Sequence, residues 1–244
     1  IWRKNMISLI QFKQVLKNKR FILFTLFIPV TWYMILNNLQ GDMMPNVLLS
    51  IAVFIGIIGN SLATFSKRIS SEIEFYKLES SFSNYSIVNY LLSQSLVQVL
   101  LNGLIFAVVT LVATIFFRLP FSNLLIYQFI LLMFMGMYFS FIGFVIGVRV
   151  DSKVIDTISF PIIVLASITI IPFSHLAVES DFVNTVSTIQ KIFPGYYYSQ
   201  IVNSLVTSKE IQITDVLLFV LTIIINLLPL YLLIPDKKSL KMNK

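Results

Sequence analysis

The sequence contains no cysteine and a single histidine, His175. Disulfides, thiolate metal sites and a cysteine nucleophile are excluded, and a histidine metal cluster cannot form. Charge is also scarce. Asp, Glu, Lys and Arg make up 12% of the 244 residues, about half the share of a typical soluble domain. No G-x-x-x-x-G-K-S/T run occurs, and no glycine-rich loop could cradle a phosphate, so any nucleotide must be bound by another chain. A Ser/His/Asp arrangement is not available, because the one histidine falls in a connecting segment between apolar runs. No paired acidic residues fall within an apolar run, which argues against a proton-coupled carrier. These absences point to no catalytic residue, no metal and no cofactor on this chain.

Apolar residues dominate what is present. They make up 57% of the chain, with a mean hydropathy of +0.87. That is more apolar surface than a soluble fold can hide, and the class is an integral membrane protein. The net charge of +7 does not indicate nucleic acid, because the basic residues flank apolar runs, where they face anionic lipid. Frequent Ile, Lys and Asn suit an AT-rich bacterial genome, so the expected location is a bacterial cytoplasmic membrane, crossed several times.

The pattern predicts an all-α polytopic chain, one transmembrane domain over 1–244 with six spans at 21–39, 46–65, 87–117, 124–148, 154–173 and 216–234. A run of twenty residues covers about 30 Å at helical rise, the thickness of the hydrocarbon core. Residues 1–20 are amphipathic at helical spacing. Trp2, Met6, Leu9, Ile10, Val15 and Leu16 oppose six Lys and Arg, as in an interfacial helix or a plain basic flank. This basic start followed by a long apolar run reads as retained rather than as a signal peptide. The 174–214 connection is expected to be extracellular or re-entrant. Its apolar stretch is too short to span, Phe193-Pro194-Gly195 breaks it, and Tyr196, Tyr197 and Tyr198 suit a headgroup region. Fifteen of the 18 Lys and Arg fall on one side of this topology, which predicts cytoplasmic termini and a cytoplasmic 66–82 segment.

Within the spans, a few residues stand out. Gln94, Gln98 and Asn102 recur every fourth residue. They either line a substrate path or hydrogen-bond between helices, because unpaired amides in lipid are costly. Gly136, Ser140, Gly143 and Gly147 form a small-residue face for close packing inside one bundle or at a subunit interface. Gly56 and Gly59 predict a further close contact, and Asn226 with Pro229 marks an irregular point where packing is the default. Asp156, near Lys153, suits an interfacial salt bridge or a helix start better than a proton relay. The interior charged island is 66–82, with Lys67, Arg68, Glu72, Glu74, Lys77 and Glu79. Its apolar residues also repeat at three and four, as in a helix that docks into a groove or rests on the membrane surface.

The order of these elements resembles the ABC-2 type permeases, the membrane subunits of ATP-driven exporters, over essentially the whole chain. Lys67, Arg68, Glu72, Phe75 and Leu78 match in character the family's Arg/Lys-Glu element and the hydrophobic stretch after it. The family's Gly and Pro are replaced by other residues, and Phe193-Pro194-Gly195-Tyr196 approximates its Pro-x-x-Tyr-like element. The resemblance implies two permease copies, or a copy and a paralogue, above two ATP-binding cassette ATPase subunits that bind ATP and Mg. In that arrangement 66–82 is a coupling helix, with Lys67, Arg68, Glu72, Glu74, Phe75 and Leu78 meeting the ATPase. The 1–20 segment is an interfacial elbow beside it. An apolar, aromatic interior favours amphipathic or lipid-like cargo, such as a small peptide toxin or antimicrobial peptide. The alternatives are a non-transporting scaffold or immunity protein and, with less support, a lipid-modifying enzyme.

Overall fold

A computed structural model describes residues 22–39, 44–82, 87–171 and 181–234, with Lys17 and Lys19 as isolated positions. Apart from those two lysines, the expected interfacial helix over 1–20 lies outside the described residues, as do 172–180 and the lysine-rich tail. All regular structure among the described residues is helical. The Ile- and Val-rich runs would favour strands by propensity alone. In hydrocarbon, however, every backbone N–H and C=O needs an internal partner, and that requirement decides for helix.

A π-helical stretch, Ile22–Phe27, leads into α1, Ile28–Leu39. α2, Pro45–Ile58, continues through a second π-helical stretch, Gly59–Phe65, into α3, Ser66–Phe82. Then come α4, Ile87–Phe117, and α5, Leu124–Arg149. α6 covers Ser152–Ile168, α7 Asp181–Gln190, α8 Pro194–Val206 and α9 Ile213–Leu232. Four helical segments are long and apolar enough to cross a membrane: Pro45–Tyr76, Asn89–Phe117, Leu124–Arg149 and Ile213–Leu232. The other two runs expected to span are helical as well, and α6 has 17 residues.

The run expected to be the second span and the charged island form one helix, with no break at Phe65 and Ser66. Its 32 residues from Pro45 to Tyr76 extend about 48 Å, well beyond a hydrocarbon core of about 30 Å. α5 is the central element and packs against α2 to α4, α6, α8 and α9. The core around it is aliphatic and aromatic. Phe54 meets Phe139 edge-on at 5.4 Å and Tyr198 at 5.7 Å. Gly56 makes room for the Pro29 ring of α1, as expected of a close contact. Gly59 does not behave that way: a Cβ there would meet nothing within 4 Å.

The contacts separate two ends of the bundle. At one end, Ser70 Oγ donates to the Val150 carbonyl at 2.7 Å, and Arg149 Nε donates to the Leu233 carbonyl at 2.6 Å. The first bond ties α3 to the α5–α6 turn. The second places a cation on the last carbonyls of α9, where the helix dipole favours it. At the other end, Gln128 Nε2 donates to the Asn46 carbonyl at 3.0 Å, and Arg118 turns the chain with φ 55°.

Candidate functional site

α3 divides into an inward and an outward face. Ile69 and Tyr76 are buried and join Phe65, Tyr90, Leu91 and Phe144 in a small apolar cluster. Arg68 and Glu72 lie on the same side. Two donors approach Glu72 Oε2: Tyr90 Oη at 3.4 Å and Gln94 Nε2 at 3.3 Å. The Arg68 guanidinium sits 5.1 Å from the centroid of the Phe65 ring. Lys67 is held by Asp156 of α6 in the one salt bridge among the described residues. Of the six residues expected to meet a partner, Lys67, Arg68 and Glu72 are therefore engaged by their own chain. For Arg68 and Glu72 the physical reason is helical register, since they share one side of the helix with Ile69, Ile73 and Tyr76, whereas Lys67 lies on another side and meets α6. Glu74 is exposed, and Phe75 is 69% exposed. The Leu78 side chain lies outside the described residues.

Between α4 and the second-span helix runs a buried polar seam. Asn60 Nδ2 donates to Asn102 Oδ1 at 3.0 Å, and the Gln94–Glu72 bond lies further along. These two links set an antiparallel register, with Gln98 midway between them. Gln94, Gln98 and Asn102 all have under 2% of their surface exposed. Interhelical hydrogen bonding thus accounts for one side of Gln94 and of Asn102. Gln98 has neither amide atom paired. Asn60 Oδ1, Asn102 Nδ2, Gln94 Oε1 and Arg68 Nε and Nη2 also lack partners among the described residues. Each such atom costs about 1–3 kcal/mol if it stays dry.

The small-residue face of α5 packs within the chain. A Cβ on Gly136 would lie 2.5 Å from Asn102 Nδ2, and one on Gly143 would strike the Ser61 carbonyl. At Gly147 it would lie 2.5 Å from the Ser66 carbonyl oxygen and 2.7 Å from Ile69 Cβ. Ser140 shares a 3.2 Å hydroxyl contact with Ser61. Gly136 therefore seats α4, the rest of the stripe seats the second span and the start of α3, and its surface is spent inside one bundle. Asn60 and Ser61 were not singled out from the sequence, although polar residues inside an apolar run were the available signal.

The α7–α8 elbow is anchored at several points. Asn226 Nδ2, well inside α9, donates to the Ile192 carbonyl at 2.9 Å. Gln190 Nε2 donates to the carbonyls of Ile168 and Ile171 at the end of α6, and Ser199 Oγ donates to the Ile170 carbonyl at 2.7 Å. The fourteen residues from Ile213 to Asn226 correspond to about 20 Å of α9, so the elbow turns deep along that helix. Asn226 is thus a packing residue, as its default reading had it. Asp156 is likewise an ion-pair residue, with Lys67 as its partner in place of the nearby Lys153.

Among the described residues no group of three or more His, Cys, Asp or Glu side chains is placed to hold a metal. No family model matches the chain, and no curated protein or solved structure matches it significantly.

Proposed function

We propose that the chain is the permease subunit of an ATP-driven exporter, with six spans, both termini in the cytoplasm of a bacterial cell and a re-entrant α7–α8 hairpin. The observation that carries this reading is the continuity of α3 with the second span. A push on the exposed Phe75 and Glu74 would be passed along one helix into the bundle, with no flexible joint to absorb it. Lys67, Arg68 and Glu72 then serve as the inner clamp that makes α3 rigid, and Glu74 and Phe75 form the face for a separate ATPase chain. The cargo in this reading is an amphipathic peptide or lipid-like molecule, passed between this chain and a second permease copy or paralogue.

The test is co-purification from membranes with the ATPase encoded beside it. A stoichiometric ATPase is expected with the native chain, and a combined Phe75→Ala and Glu74→Lys variant should lose it while still inserting and folding. A native chain that purifies without an ATPase, or a variant that keeps it, counts against the reading.

A further inference from the structure

The unpartnered atoms of the polar seam are not scattered. Asn60, Arg68, Gln94, Gln98 and Asn102 supply seven of them, on α4 and on the stretch of the second-span helix paired with it, although Asn102 Nδ2 itself is turned to Gly136 of α5. The set is balanced, with donors on Arg68, Gln98 and Asn102 and acceptors on Asn60, Gln94 and Gln98. Water both donates and accepts, and it suits such a mixture better than a cation or an anion would. In this packing, however, these atoms are buried away from solvent. The dry arrangement leaves the desolvation of seven polar atoms uncompensated, so it is penalised against any packing that admits water.

We infer that the seam is a hydration site along which α4 parts from the second span, with Gln98 at its centre. Water enters when the two helices separate and bridges the Gln98 amide to the Arg68 guanidinium and to the amides on either side. The opposite face of the second-span helix, held tightly against α5 by Gly143 and Gly147, stays in place. This inference does not depend on the permease reading.

The absence of cysteine makes the test clean, because each single-cysteine variant carries one thiol. Gln98→Cys and Gln94→Cys are compared in membrane vesicles with Val109→Cys and Ala113→Cys, which replace fully buried residues of the same helix beyond the seam, in the apolar core. Silver ion is the probe. It reacts fastest with hydrated, ionisable thiols, and its reaction is read as protection from maleimide after denaturation. The seam variants should react at least about tenfold faster than the two controls, because the thiolate forms only where water reaches it. In the Gln94→Cys background, adding Gln98→Leu should slow the silver reaction and raise the unfolding temperature, since it removes the central unpaired amide. Equal silver rates at seam and control positions would overturn the inference. So would a Gln98→Leu change that leaves the Gln94→Cys rate unaltered.

Discussion

Replacing Gly147 by alanine tests a close packing contact of the charged helix. The added Cβ would lie 2.5 Å from the Ser66 carbonyl oxygen, 2.7 Å from Ile69 Cβ and 3.0 Å from Ile69 Cγ2. Ordinary contact begins at 3.4 Å, so α5 and the start of α3 must part by about 0.9 Å. Neither neighbour can rotate away: one is backbone, and the other is a fully buried β-branched side chain. A gap of that size forfeits a quarter to a half of each dispersion contact along the interface, and overpacking of this kind costs about 1–3 kcal/mol. It also strains the Ser61–Ser140 contact at 3.2 Å, which has little reach to spare. The helix propensity gained on replacing glycine, about 1 kcal/mol in water, offsets part of this.

Gly59→Ala isolates the steric term. It has the same change in propensity, but nothing lies within 4 Å of its Cβ, so it should be neutral or stabilising. The two variants should therefore differ by about 1–3 kcal/mol, measured by unfolding in bicelles. Gly143→Ala combined with Gly147→Ala should cost less than the sum of the single changes, because one separation of the helices relieves both clashes. Equal stability of the Gly147→Ala and Gly59→Ala variants would refute the packing argument.

The remaining predictions concern the anchors of the two ends. Reversing Lys67 or Asp156 alone should cost up to about 1 kcal/mol, because the pair is partly exposed, and exchanging both charges should restore most of the loss. Added salt should shrink these differences, as read by the same unfolding assay. Gln190→Ala removes the donor to two carbonyls at the end of α6 and should cost about 1–3 kcal/mol. Hydrogen exchange should then quicken in the first turn of α8, while α2 and α5 are unchanged. Exchange that rises evenly across the bundle would mean that Gln190 is not a local anchor.

The helices were largely legible in the sequence. The run at 87–117 is α4, and the run at 124–148 is α5 to within a residue. The faces of those helices were much harder to read. In a soluble protein polarity marks the outer face, whereas here lipid-facing and core-facing residues are equally apolar. Only small or amide side chains break that uniformity, so Gln94, Gln98, Asn102 and the glycine stripe stood out. Asn60 and Ser61 carried the same mark more faintly, because each is a single residue without a periodic companion. The continuity of the second span with α3 was masked by a change of composition at Ser66, where the charge begins but the helix does not end. The inward turn of Arg68 and Glu72 was latent in their spacing with Ile69, Ile73 and Tyr76. Their partner-facing role was implied by the resemblance to the permease family's Arg/Lys-Glu element. The Lys67–Asp156 pair joins residues 89 positions apart, and no local pattern encodes it.

The second-span helix is mechanically asymmetric. Toward α5 it is set glycine to backbone, through Gly143 on Ser61 and Gly147 on Ser66, and Ser70 pins its far end to the α5–α6 turn. Toward α4 it carries a row of polar atoms, few of them paired: Asn60 with Asn102, and Glu72 with Gln94 and Tyr90. A displacement of α3 would therefore carry with it the part of α5 around Gly143 and Gly147 and slip along α4. Close-packed interfaces yield in discrete steps, and a step needs an interface whose closed form is not overwhelmingly preferred. The unsatisfied amides provide that property on the α4 side, and the glycine contacts deny it on the α5 side. The π-helical stretch Gly59–Phe65 lies where the two interfaces meet, with Asn60 directed to α4 and Ser61 to α5. A π-helical stretch carries extra backbone that can be taken up or released, so the point of easiest adjustment in the helix coincides with the boundary between its fixed and its yielding sides.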